Sequence, residues 1–93
     1  MSIRQKDKDA EVVLRLLVMR RVGAGLSQQQ LAAKLGWPID KVRRIESGTR
    51  RADFLELRAI CIACGTSIQA FVMDLEDATD QHIKALQSRR GAK

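Results

Sequence analysis

The run from Leu26 to Glu56, LSQQQLAAKLGWPIDKVRRIESGTRRADFLE, leaves few ways to fold. Leu31, Ala32 and Leu35 recur at helical spacing behind Ser27, whose hydroxyl suits an N-cap. Gly36 stands where a left-handed residue must end that helix. A second short helix over Ile39–Ser47 closes at Gly48. It buries Val42 and Ile45, while Lys41, Arg43 and Arg44 point elsewhere. Two short helices joined by such a turn cross at roughly 90–120°. A basic helix held by only two apolar anchors is built to meet a polyanion.

Charge and size agree. The net charge is +6 and the isoelectric point near 10.0. Basic charge points to a nucleic-acid partner when it is clustered, and to a merely solvated face when it is spread. It is clustered: Lys34 to Arg51 holds six Lys and Arg against Asp40 and Glu46, whereas Asp74 to Asp80 holds four acids and no base. A chain of 93 residues is one small domain with a modest core, which association with a second copy would help to stabilise.

The pattern is helical throughout. Residues 1–8 are charged and read as a flexible, frayed segment. A first helix is expected from Asp9, with Val13, Leu14, Leu17, Val18 and Val22 on one face and Gly23 and Gly25 ending it. The motif helices follow at Gln28–Leu35 and Ile39–Ser47. Asp53 and Glu56 open a fourth helix in the manner of a capping box, and it runs to Cys64 before Gly65. Ser67 caps a fifth, with Ile68, Phe71, Val72 and Leu75 apolar. No strand signal, internal repeat or linker is visible. The domain is therefore placed at residues 9–76 of an all-α fold, with residues 77–93 an extension. In that extension Thr79 offers a cap and Ile83 and Leu86 share a face; a short sixth helix, a dimer element and a basic tail all stay open.

Cys61 and Cys64 form a C-x-x-C, but His82 is the single histidine, so one chain cannot complete a tetrahedral zinc site. Both cysteines read as small apolar groups on one helix face, and no metal or cofactor is expected. The polar start Met1–Asp9 has no leader character, and no apolar run approaches about 20 residues, so no membrane association and a cytoplasmic location are expected. With one His, no Tyr, no glycine-rich phosphate loop and no paired carboxylates in an apolar setting, the chain lacks the parts of an enzyme.

Read in order, Arg21 four residues before Gly25, Leu26-Ser27-Gln28, Leu31-Ala32, Gly36, Val42, Ile45-Glu46, Gly48 and the apolar spacing up to Gly65 form a consistent set. On these positions, over about residues 10–76, the chain resembles the Xre/Cro-type helix-turn-helix family of lambdoid phage repressors, Cro proteins and small bacterial regulators. Gly36-Trp-Pro38 and Arg50-Arg-Ala-Asp-Phe-Leu-Glu56 are similar to a narrower proteobacterial subgroup. The resemblance implies a compact five-helix, lambda-repressor-like DNA-binding domain.

It also implies roles. Arg21 and Glu46 should form an ion pair between the first and third helices. Ile39, Asp40, Lys41 and Arg44 match the base-contacting positions. Arg44 suits guanine, whose O6 and N7 its fork can meet bidentately, and Ile39 suits a thymine methyl. Lys41 can read a base or meet a phosphate. Asp40 can accept from cytosine N4 or stabilise the helix dipole, the latter slightly favoured. Ser27, Gln28, Arg43, Thr49, Arg50 and Arg51 correspond to phosphate contacts, which position a domain without reading sequence. For Arg51 an internal pair with Asp53 or Glu56 is an even alternative. Trp37 reads as a partly exposed lid over the apolar face.

The expected function is that of a sequence-specific, double-stranded-DNA-binding transcriptional regulator acting as a homodimer on a palindromic operator, with Ile68, Phe71, Val72 and Leu75 as the nominated interface, where a place in the chain's own core is an even alternative for Ile68 and Phe71 and a lesser one for Val72 and Leu75. The main rival is an antitoxin or other protein-interaction module whose DNA binding is secondary. A structural nucleoid or RNA-binding protein is a third reading.

Overall fold

The computed structural model describes residues 2–91, with side chains described over 8–79. Five helices follow one another: α1 (Ser2–Gly23), α2 (Gln28–Leu35), α3 (Ile39–Ser47), α4 (Phe54–Ala63) and α5 (Ile68–Gly91). The all-α fold expected from the periodicity is the fold observed.

Local chemistry explains the boundaries of the middle three. Ser27 Oγ accepts from the Gln30 amide at 3.0 Å, and Gln30 Oε1 accepts from the Ser27 amide at 2.8 Å, a reciprocal cap that satisfies two donors at the start of α2. Asp53 and Glu56 repeat the device at α4. Gly36 ends α2 at φ 69°, a left-handed conformation that costs a residue with a Cβ. Gly48 ends α3 at φ 85° under a second constraint: a Cβ there would lie 3.0 Å from Leu14 Cδ1 of α1.

One side chain or more from every helix meets at the centre. Leu17, Leu31, Ala32, Val42, Ile45, Ile60, Cys61 and Phe71 form the buried cluster. α2 packs on α3 and α4, while α1 crosses α3, α4 and α5. Arg20 of α1 pairs with Asp74 of α5 and ties those helices together at the surface. Cys61 is wholly buried and Cys64 half-buried, both as free thiols, and burial pushes both thiols up from their usual range.

Four expectations are corrected. α1 begins at Ser2, ahead of Asp9, because residues 2–8 contain neither Gly nor Pro and are mostly good helix formers. α5 runs unbroken through Glu76 and on to Gly91, so no separate sixth helix forms there. Thr79 does not cap; its hydroxyl donates to the Leu75 carbonyl one turn back at 2.8 Å. Phe71, nominated for a dimer surface, is 1% exposed in the chain's own core and is unavailable to a partner. Ile68 also packs against that core, Leu75 is half-buried, and Val72 is exposed. Ile83, Leu86 and the tail at Arg89–Lys93 lie outside the residues whose side chains are described.

Candidate nucleic-acid interface

α3 is anchored from below and open above. Val42 and Ile45 are each 1% exposed. Asp40, Arg43, Arg44 and Ser47, spaced at three and four residues, line the opposite, solvent-facing side. Pro38 precedes the helix in extended conformation, and its ring pre-sets the entry. Asp40 sits in the first turn, where a carboxylate favours the helix dipole, and lies 3.7 Å from the guanidinium of Arg44 one turn on.

The rest of the expected surface is partly engaged within the protein. Ile39 is half-buried against the core cluster, leaving part of its side chain at the surface. The ammonium of Lys41 lies 4.0 Å above the ring centre of Trp37 and 2.9 Å from Glu56 Oε2. Trp37, half-buried on the core, is thus both a lid and a support for Lys41. Arg50 makes a two-point contact with the same carboxylate, Nη1 to Oε1 at 3.0 Å and Nη2 to Oε2 at 3.1 Å. Of the two adjacent arginines it is Arg50, not Arg51, that pairs with Glu56. These partners hold the Glu56 carboxyl down to about 2 and raise the Arg50 guanidinium above its ordinary value. Among the described residues Arg43 and Arg51 have no ion-pair partner, and both are exposed. Thr49 shares a 2.7 Å hydrogen bond with the Ser47 hydroxyl beside them.

A second network fixes the far end of α3. Arg21 Nε donates to Glu46 Oε2 at 2.7 Å and Nη2 donates to Oε1 at 3.0 Å. Arg21 Nη1 also donates to the Leu26 carbonyl at 2.8 Å, fastening the turn before α2. Gln28, expected at a phosphate, sends one Nε2–H to Glu46 Oε1 at 2.9 Å, which leaves its second N–H to donate elsewhere. Ser27 uses its oxygen as the α2 cap but retains a hydroxyl proton.

The sequence offered Glu56 only as one possible partner for Arg51 and did not show it gathering Lys41 and Arg50. Its visible signal was the third position after Asp53, which names a capping carboxylate and says nothing of Lys41 or Arg50 arriving from other elements. The Arg20–Asp74 pair was also missed, since it joins positions 54 residues apart.

A family model described as a helix-turn-helix domain matches residues 13–70, from within α1 to the first turn of α5. The chain belongs to that helix-turn-helix family. Comparison with curated proteins and with solved structures gave no match. In a helix-turn-helix domain the second motif helix enters the major groove, and here that helix is α3, the one with the exposed basic face. The family is one of DNA-binding proteins, and among the described residues of this member no single helix is long and apolar enough to cross a membrane.

Proposed function

We propose that the chain is a sequence-specific regulator of transcription that binds double-stranded DNA as a homodimer on a palindromic operator. The observation that carries this reading is the solvent-facing side of α3, with Arg43 and Arg44 uncovered on a helix fixed from beneath by Val42 and Ile45. Arg44 reads guanine, oriented by Asp40 one turn earlier, and the exposed part of Ile39 meets a thymine methyl. Lys41 reaches the groove edge from its seat on Trp37. Arg43, Arg51, Thr49 and Arg50 follow the phosphates on one side, and Ser27 with the free Gln28 N–H meets them at the start of α2. One such helix reads only a few base pairs, so two copies with half-sites about one helical turn apart supply the specificity. The interface is proposed on α5 around Val72 and the exposed part of Leu75, with residues 9–76 as the binding domain and the cytoplasm as its place of work.

Selection of bound duplexes from random DNA tests this reading. The expected product is a two-fold symmetric motif, and recovery of sequences with no shared motif would overturn sequence-specific binding.

A further inference from the structure

We infer that Glu56 is an electrostatic gate on the DNA surface: its carboxylate occupies Lys41 and Arg50 in the free protein and yields them to a backbone phosphate only at a specific site. This inference rests on the DNA-binding reading above. Three elements converge on the carboxylate: α3 sends Lys41, the loop after Gly48 sends Arg50, and α4 holds Glu56 itself. The acid cannot swing aside freely. Its backbone amide is bound by the Asp53 carboxylate at 2.8 Å, and its Oε1 accepts from the Asp53 amide at 3.0 Å. The side chain is 15% exposed, whereas that of Arg50 is 41% exposed, so the cation presents an open edge while its partner sits beneath it.

Carboxylate and phosphate offer the guanidinium fork the same paired oxygens. The arrangement is therefore an anion site already filled by an internal anion. A phosphate that takes Arg50 and Lys41 leaves Glu56 held in place with both partners gone, a cost that scattered contacts with arbitrary duplex do not offset. Base contacts from α3 can offset it at the correct sequence. Glu56 would thereby hold indiscriminate binding down, and the unpaired Arg43 and Arg51 would carry what remains of it.

A variant separates this role from helix capping. Glu56→Gln keeps the capping position, where Gln serves as well as Glu, and removes only the charge. Fluorescence anisotropy with a labelled random-sequence duplex, from about 50 to 200 mM salt, reads the result. For Glu56→Gln the dependence of log affinity on log salt should steepen by about one to two, with severalfold tighter binding at low salt. Arg50→Ala in the parent should leave the random-duplex slope nearly unchanged, because Arg50 is occupied; in the Glu56→Gln background it should lower the slope by about one. Parent and Glu56→Gln with equal slopes, or a parent slope that falls by about one on Arg50→Ala, would overturn the gate while leaving DNA binding intact. No binding by the parent or either variant at about 50 mM salt would remove the DNA-binding reading and the gate together.

Discussion

Arg21 and Glu46 meet side by side, with Nε 2.7 Å from Oε2 and Nη2 3.0 Å from Oε1, although 25 positions separate them. The pair joins the end of α1 to the last turn of α3, and hydrogen bonds from Gln28 and to the Leu26 carbonyl extend it to the turn before α2. The tilt of the proposed reading helix is thus set from its C-terminal end. Truncating one member leaves a largely buried charge without its partner. With side chains only 13% and 8% exposed, Glu46→Ala should cost about 3 kcal/mol, read as a drop in the urea midpoint. An unchanged midpoint would show that the pair contributes nothing.

Arg44→Ala removes a side chain that faces solvent, so the fold should keep its melting temperature. Affinity for the selected operator should fall by about 1–3 kcal/mol, with the preference relaxed at one base position of each half-site. An equal loss on every sequence would make Arg44 a phosphate contact.

Val72 and Phe71 are adjacent on α5 and face opposite fates. Phe71→Ala empties part of the core and should cost about 3–5 kcal/mol in denaturant unfolding. Val72→Glu should leave the melting temperature nearly unchanged and shift the protein from dimer to monomer in sedimentation. A parent already monomeric at tens of micromolar and on DNA would refute the interface.

Glu56 also predicts an acid response. Its carboxyl lies at about 2 in the folded chain against an ordinary 4.5, held down mainly by Arg50 and then by Lys41. A carboxyl depressed by folding stabilises the protein above its unfolded value and loses that contribution as pH falls through the folded one. The parent should therefore lose stability faster than Glu56→Gln between pH 4.5 and about 2, in urea titrations at successive pH values. Parallel curves would mean that the cations do not favour the ionised acid.

How much of this was written in the chain depends on how local the cause is. The ends of α2 and α3 follow from Ser27, Gly36 and Gly48 acting within a few residues of themselves, and periodicity alone marked Val42 and Ile45 as anchors. The beginning of α1 and the length of α5 were less legible, because residues 2–8 and 80–91 give little apolar rhythm and no helix breaker before Gly91. Thr79 shows the ambiguity in one side chain, since the same hydroxyl can cap a new helix or bond back into an old one. The choice of Arg50 over Arg51 as partner of Glu56 depends on the path after Gly48, where the Arg50 amide returns to the Arg44 carbonyl at 3.1 Å. Lys41 joins that carboxylate from another helix. Contacts of this kind are settled only when separate elements assemble.

Gly48 places a limit on how this protein can evolve. Every one of the other coded residues carries a Cβ or its ring equivalent, so no single amino-acid replacement there is silent to the fold. Each would strain a backbone at φ 85° and push on Leu14 in the same step. A lineage that changes the proposed target can explore Asp40, Arg43 and Arg44 on the outer side of α3, because their side chains face solvent. The turn that closes α3 offers no such intermediate path. Descendants should diverge in what they read long before they diverge in how the reading helix ends.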